Sequence, residues 1–184
     1  MATKLRQTSD FDFGAVSPQL DAVNVRVLEH LLEDPRLTMS ELGRRVGMSA
    51  PAVAERVQRL LEAGVITGFS TELSPKALGR PIAAYIRIRP VARQLTKVAE
   101  VARRSPEVVE CHRITGEDCF LMKAYVGAVE DLEGLIDRFL PFGQTTTSIV
   151  QSSPVPRRSP PLPRGDSGAE RKARVDAGRR PRVE

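Results

Sequence analysis

The sequence predicts an α+β protein: an N-terminal winged helix-turn-helix domain followed by a ferredoxin-like βαββαβ domain. Residues 20–64 carry apolar side chains at helical spacing, and a glycine separates two helix-start signals there. Residues 82–155 then alternate strand and helix patterns in the order β-α-β-β-α-β. A chain of 184 residues has room for two small cores and not for a large multidomain enzyme.

Three helices are predicted in residues 20–64. The first begins near Leu20 and stops before an Asp-Pro pair at residues 34 and 35. Thr38 and Glu41 have the spacing of a capping box, which starts a second helix that runs to about residue 46. Gly47 permits a left-handed turn, and Ser49 is a good N-cap for a third helix that ends near residue 63.

The third helix has two faces. Val53, Val57 and Leu60 recur at i, i+4 and i+7, so they should pack inward. The opposite face begins with small residues and ends with arginines, which suits a major groove and its phosphates. A solvated face of an ordinary three-helix bundle is the alternative. The predicted DNA-contacting residues are Arg44, Arg45, Ser49, Ala50, Pro51, Ala52, Glu55, Arg56 and Arg59.

Residues 65–81 are expected to form a β-hairpin and a hinge, with short strands at 65–69 and 71–73. In the second domain, strands are expected near residues 82–89, 108–114, 119–126 and 145–151. If Ile114 pairs with Cys119, one sheet face turns towards the helices: Val109, Cys111, Phe120, Met122, Ala124 and Val126. The other face is amphipathic and suits either solvent or a second subunit: Tyr85, Arg87, Glu110, His112, Leu121, Lys123 and Tyr125.

Charge is concentrated at the C-terminal end. Residues 156–184 hold nine Lys/Arg and four Asp/Glu, whereas the other 155 residues hold 19 of each sign. This Pro- and Arg-rich segment lacks aromatic residues, and we expect a disordered basic tail that either adds phosphate attraction or only solubilises the chain. Residues 1–19 are polar and unpatterned, so we expect a flexible leader.

Several classes of function are disfavoured. Two Tyr, six Phe and no Trp make a stacking platform for single-stranded nucleic acid improbable. No apolar run is long enough for a membrane span or secretory signal, so we expect a cytoplasmic protein without a membrane partner. Two cysteines and two histidines suit neither a disulfide framework nor a zinc site, and we expect no metal, no cofactor and no catalytic residue.

A family resemblance covers residues 20–154. The segments LDAVNVRVL at residues 20–28, VGMS at 46–49, RVQRL at 56–60 and GVITGF at 64–69 resemble the Lrp/AsnC family of transcriptional regulators. RITGEDCFLMK at residues 113–123 and TTTSIV at 145–150 resemble the effector-binding domain of that family. The chain departs from the family at Asn24, where Asp is usual, and at Cys119, where an acidic residue is common.

The resemblance implies a homodimer, often assembled into higher multiples, that binds double-stranded DNA and a small effector, commonly an amino acid. The implied effector-binding residues are Gly116, Glu117, Asp118, Cys119, Thr146, Thr147 and Ser148. Turn amides at Gly116 suit a carboxylate, and Glu117 or Asp118 suits an ammonium group. Two alternatives remain open: a siroheme-type decarboxylase of the haem pathway, which shares this architecture, and an effector-responsive architectural DNA-binding protein.

Overall fold

The structure, a computed structural model, describes residues 20–163, so the predicted leader and residues 164–184 lie outside it. The chain divides into two compact units. Of the described residues, 20–70 and 158–163 belong to the first unit and Thr71–Arg157 form the second. No helix within residues 20–163 is long and apolar enough to cross a membrane.

The first unit contains the three predicted helices: α1 (Ala22–Glu33), α2 (Met39–Val46) and α3 (Ala50–Glu62). The predicted caps are formed, because Thr38 Oγ1 accepts from the Glu41 amide at 3.2 Å and Ser49 Oγ accepts from the Ala52 amide at 3.4 Å. Only half of the expected capping box is present, since the Glu41 carboxylate pairs with Arg45 at 3.0 Å instead. The helices enclose one apolar cluster: Val27, Leu28, Leu31, Leu37, Leu42, Val46, Val53, Val57 and Leu60.

Two glycines make the turn between α2 and α3 possible. Gly47 adopts the predicted left-handed conformation, with φ of 76°. Gly43 accepts from the Met48 amide at 2.8 Å, and a Cβ added to Gly43 would lie only 2.6 Å from the Met48 carbonyl oxygen. The chain therefore crosses directly over Gly43, and this close approach sets how α3 leaves the turn.

The strands predicted at residues 65–69 and 71–73 are wrong, because the structure has no strand between α3 and residue 82. The Val65 and Ile66 amides both donate to the Leu60 carbonyl, at 2.9 and 3.0 Å. Both side chains pack against the helical cluster, so the chain folds back on α3 and does not form a ladder. Farther along, Phe69 and Leu73 are exposed.

The second unit has the predicted βαββαβ order. Its elements are β1 (Ile82–Pro90), α4 (Leu95–Arg104), β2 (Val108–Arg113), β3 (Phe120–Val126), α5 (Val129–Asp137), a 3₁₀ turn (Leu140–Phe142) and β4 (Gly143–Ile149). The antiparallel sheet has the strand order β2-β3-β1-β4. Its buried face and the two helices form the core: Ala84, Ile86, Ile88, Val98, Ala102, Phe120, Met122, Ala124, Val126, Leu132, Leu135 and Phe139.

The predicted pairing of Ile114 with Cys119 is present, with the Ile114 amide donating to the Cys119 carbonyl at 3.0 Å. The orientation predicted for Val109 is wrong. The register shifts between Val108 and Glu110, so Val109 is the extra residue of a bulge and is 52% exposed. Cys111 lies opposite buried Met122 but is itself exposed on the edge strand, and both cysteines are free thiols.

The C-terminal segment departs from the predicted free tail over its described part. Residues 156–163 contain neither helix nor strand. Leu162 nevertheless packs against the apolar cluster of the first unit, and Leu162 and Pro163 are both half-buried. The rest of the predicted tail lies outside the described residues.

Replacing Gly43 with Ala should destabilise the first unit by about 1–3 kcal/mol, because backbone must move to admit the methyl group. Thermal unfolding followed by circular dichroism measures the change. Gly134→Ala in α5 is the matched control, since a Cβ there meets nothing within 4 Å and alanine favours a helix. Equal melting temperatures for Gly43→Ala and the unaltered chain would contradict the prediction.

Candidate DNA-binding surface and ligand site

The outer face of α3 presents the predicted mixture of small and charged residues. Pro51, Glu55 and Arg59 are exposed, and Ala52 is half-buried. Ser49, Arg44 and Arg45 are also exposed, and Ala50 is half-buried. Arg59 donates to Glu55 one helical turn away, in an exposed pair that an incoming phosphate can exchange. Small residues occupy the N-terminal end of this face, and longer polar and charged residues follow toward its C-terminal end.

Arg56 does not have the free, outward position that the sequence suggested. Its Nη1 donates to Asp21 Oδ2 at 2.7 Å and to Asn24 Oδ1 at 3.0 Å, both at the start of α1. The Arg56 side chain is 29% exposed, against 64% for Arg59. Arg56 therefore joins α3 to α1, and a direct contact between Arg56 and a base stays an untested prediction.

Helix geometry explains why the two arginines differ. At about 100° per residue, Arg56 lies about 40° from Leu60 around the helix axis, whereas Arg59 lies about 100° from it. Because Leu60 is fully buried, Arg56 occupies the border between the core and the outer face. Its long side chain reaches along the apolar surface to the carboxylate that caps α1.

The departure at Asn24 therefore concerns α3 as well as α1. Asn24 is 7% exposed and its amide oxygen accepts from Arg56. Partial burial by itself raises the pKa of Asp21, but hydrogen bonds from Arg56 and from the Asn24 amide, with the Arg56 charge, bring that pKa below its ordinary value. The ionised Asp21 therefore contributes to the stability of the fold. This contribution is complete above the ordinary pKa of a carboxyl group and is lost as pH falls through the lowered pKa of Asp21.

Gln58 is a surface residue that the sequence analysis did not select. It is exposed, three residues after Glu55 and seven after Pro51, and its side chain donates to Glu62 at 2.9 Å. Pro51, Glu55 and Gln58 have the same i, i+4, i+7 spacing that identified the inner stripe, so Gln58 lies on the outer face. A glutamine amide can form two hydrogen bonds with the edge of an adenine.

The predicted effector loop joins β2 to β3 at the end of the sheet. Gly116 has a positive φ of 111°, which glycine accommodates without strain. Glu117 is almost fully exposed, whereas the Asp118 side chain is 24% exposed. Cys119 donates its amide to the Ile88 carbonyl at 3.0 Å, and its side chain packs against the core of the second unit.

Two arginines of β1, absent from the predicted effector site, meet the loop carboxylates. Arg89 pairs with Glu117, and Arg89 Nε lies 3.9 Å from Asp118 Oδ1. Arg87 Nη1 lies 3.7 Å from Asp118 Oδ2. The two contacts with Asp118 are longer than hydrogen bonds, so the loop presents a loose group of opposite charges. The alternation of β1 could have identified both arginines from the sequence. Arg87 and Arg89 lie with Tyr85 on the sheet face that the helices do not cover, which we call the open face.

The predicted residues of β4 do not share one face. Thr146 lies opposite Arg87, and Ser148 lies opposite Tyr85, so both are on the open face. Thr147 lies opposite buried Ile86, on the side of the helices. The loop, Arg87 and Thr146 therefore form one neighbourhood, and Thr147 is directed away from it.

The open sheet face has the mixed character expected of it. Lys123 lies between two rings, with its Nζ 5.8 Å from the ring centroid of Tyr85 and 5.4 Å from that of Tyr125.

Among residues 20–163, no cluster of His, Cys, Asp and Glu could hold a metal ion.

Comparison with protein families assigns both units. The profile of winged helix-turn-helix DNA-binding domains matches residues 20–67, and that of the Lrp/AsnC ligand-binding domain matches residues 83–160. The chain belongs to the Lrp/AsnC family. Its two units are thus the DNA-binding and ligand-binding domains of an Lrp/AsnC-type transcriptional regulator.

Individual Lrp/AsnC proteins are similar to this chain over nearly their whole lengths. The HTH-type transcriptional regulator YezC of Bacillus subtilis is 39% identical over 73% of this chain and 95% of its own. The structure of B. subtilis LrpC superposes with a TM-score of 0.69 at 30% identity, covering 73% of this chain and 96% of LrpC. The structure of a Neisseria meningitidis transcriptional regulator in complex with L-methionine superposes with a TM-score of 0.69 at 26% identity, covering 76% of this chain and 94% of that protein. Such relatives favour a regulator over the decarboxylase alternative.

Arg56→Ala and Arg59→Ala should separate stability from DNA binding in this Lrp/AsnC protein. Arg56→Ala should lower the free energy of unfolding of the first unit by about 1 kcal/mol, because it removes the ion pair with Asp21 and the hydrogen bond to Asn24. Arg59→Ala should leave the melting temperature within error. Thermal unfolding of both variants measures the difference, and equal stability of both would contradict the role assigned to Arg56.

Proposed function

We propose that this regulator recognises specific sequences by inserting the N-terminal half of α3 into the major groove, and that an amino acid bound at the β2–β3 loop tunes its DNA binding. The observation that carries the first part is the outer face of α3, where Pro51 and half-buried Ala52 precede Glu55, Gln58 and Arg59. Small residues permit a close approach, and the longer ones reach base edges or phosphates.

The roles of the outer residues follow from their chemistry. Arg59 and Gln58 are the side chains suited to pairing with guanine and adenine, and the exposed Arg44 and Arg45 are proposed to contact phosphates. Ser49 is the N-cap of α3 and Ala50 is its first residue, and the backbone amides at the start of a helix also favour a phosphate. Arg56 contributes through the position of α3, which it fixes against α1.

Specific binding is tested with the duplex upstream of the chain's own gene and a scrambled duplex of equal length. The unaltered chain should prefer the first by about 10³-fold or more at physiological salt. Arg59→Ala and Gln58→Ala should each weaken specific binding by about 1–3 kcal/mol and relax the preference at one base pair.

Glu29→Ala, on the exposed part of α1, is the control and should leave both affinities unchanged. Gel shifts or fluorescence anisotropy supply the measurement. A preference of only a few-fold for the upstream duplex would contradict specific recognition and favour the architectural alternative.

The proposed effector site consists of Arg87, Asp118 and Thr146, beside the turn at Gly116. An amino acid carries a carboxylate and an ammonium group, which match the guanidinium of Arg87 and the carboxylate of Asp118. Because Arg87 Nη1 and Asp118 Oδ2 are 3.7 Å apart, the ligand would replace a loose contact rather than a tight ion pair. The Neisseria relative, solved with L-methionine, supports an amino acid as the class of ligand.

A homodimer is proposed through the open face of the sheet. Tyr85, Lys123 and Tyr125 form a continuous aromatic and cationic group there, beside half-buried Leu121. A face of this composition resembles the core of a subunit interface more than a fully solvated surface. Higher multiples of the dimer are part of the same proposal.

Asp118→Ala should abolish the response to an effector and leave ligand-free DNA binding unchanged, because Asp118 supplies the ammonium contact. A panel of amino acids, screened by thermal shift and then by gel shift, identifies the effector. Glu133→Ala, an exposed carboxylate on α5, is the control and should respond normally. A normal response of Asp118→Ala would remove Asp118 from the site.

A further inference from the structure

The proposed effector site holds more positive charge than a neutral amino acid needs. Arg87 and Arg89 of β1 both face the carboxylate of Asp118, with Arg87 Nη1 3.7 Å from Oδ2 and Arg89 Nε 3.9 Å from Oδ1. The carboxylate and ammonium group of a neutral amino acid would match Arg87 and Asp118, and would leave Arg89 without a partner on the ligand. Together the three side chains carry a net charge of +1 at neutral pH.

Few of the donors of these two arginines are used within the protein. The Arg87 side chain forms no hydrogen bond with residues 20–163, since its contact with Asp118 is longer than a hydrogen bond. Within the same part of the chain, the Arg89 side chain donates a hydrogen bond only to Glu117. A guanidinium group has several N–H donors, so both side chains can bind further carboxylate oxygens.

Glu117 is an exchangeable partner of Arg89. The Glu117 side chain is 83% exposed and the Arg89 side chain 48% exposed. An exposed ion pair of this kind contributes little to stability, because water competes for both charges. The carboxylate of a ligand can therefore take the place of Glu117 on Arg89, while Glu117 turns to solvent. Asp118 is largely shielded and stays beside both arginines.

The sheet places Arg89 one row beyond Arg87 on the open face. Thr146 lies opposite Arg87 and Gln144 lies opposite Arg89, so each arginine has an uncharged hydrogen-bonding neighbour on β4. Residues two apart on one strand are separated by about 6.5 Å, and long side chains can bring their charged ends closer. Since both guanidinium groups approach the same carboxylate, one small molecule can contact both of them.

We propose that the effector is an amino acid with an acidic side chain, whose side-chain carboxylate binds Arg89 while its α-carboxylate and α-ammonium group bind Arg87 and Asp118. The net charge of −1 on such a ligand balances the +1 of the three side chains. Arg89 then distinguishes acidic from neutral amino acids, and Gln144 donates a further hydrogen bond to the same carboxylate. The proposal rests on the proposed amino-acid site and narrows its class of ligand.

Isosteric pairs of amino acids test this charge selectivity. L-Glutamate and L-glutamine have nearly the same shape and differ by one charge, as do L-aspartate and L-asparagine, and each is titrated into the full chain by isothermal calorimetry. At least one acid should bind about tenfold or more tightly than its amide, because a charge-assisted hydrogen bond replaces a neutral one. Glutarate, which lacks the ammonium group of glutamate, should bind at least about tenfold more weakly than glutamate, because nothing on it matches Asp118.

Arg89→Gln removes the charge to which the selectivity is assigned. This variant should bind the preferred acid about tenfold or more weakly and the amide with unchanged affinity, so that the ratio of the two affinities falls to near one. Arg104→Gln, at an exposed position on α4, is the matched control and should keep the ratio. Glu117→Gln should bind the acid several-fold more tightly, because Arg89 loses its competing carboxylate. Circular dichroism checks that each variant is folded.

The possible outcomes separate this proposal from the one on which it rests. If none of the amino acids binds, the proposed effector site itself fails. If amino acids bind and Asp118→Ala abolishes their binding, but each amide binds as tightly as its acid, the site stands and the acidic class of ligand is refuted. A preference for the acid that survives Arg89→Gln would overturn the role of Arg89. Glutarate that binds as tightly as glutamate would refute an amino acid as the ligand.

Discussion

The packing of α3 on α1 and α2 is the constraint on which the DNA-binding function depends. Val53, Val57 and Leu60 are buried almost completely, and each contributes roughly 1.5–3 kcal/mol by leaving water. Their direction fixes the opposite face of α3, so the set of residues exposed there is a consequence of the core. The close approach of the chain to Gly43 sets the angle at which α3 leaves the turn.

The same constraint explains why two arginines three residues apart have different roles. Arg56 borders the buried stripe, and it forms an ion pair with Asp21 at the start of α1. Arg59 projects from the outer face, where its partner Glu55 is equally exposed and therefore exchangeable. Two neighbouring carboxylates of the ligand-binding domain differ in the same way. Asp118 is largely shielded beside two arginines, whereas Glu117 is almost fully exposed.

Caps and turn residues allowed much of the fold to be predicted from short stretches of sequence. Contacts between residues far apart in the sequence could not be predicted in this way. Thr38, Gly47 and Ser49 act within one helical turn, so their roles follow from sequence alone. The pairing of Arg56 with Asp21 spans 35 residues and depends on the angle between helices. In β4, three threonines and a serine give no alternation to interpret, and only the register with β1 separates Thr147 from Thr146 and Ser148.

The ion pairs of the helix-turn-helix domain limit the charge of its surface. Arg45 pairs with Glu41, Arg56 with Asp21 and Arg59 with Glu55. Unpaired arginines on so small a helical domain would repel one another, so these pairs remove a cost to folding. The outer face of α3 is therefore distinguished by the shape and hydrogen-bonding groups of its side chains rather than by excess positive charge.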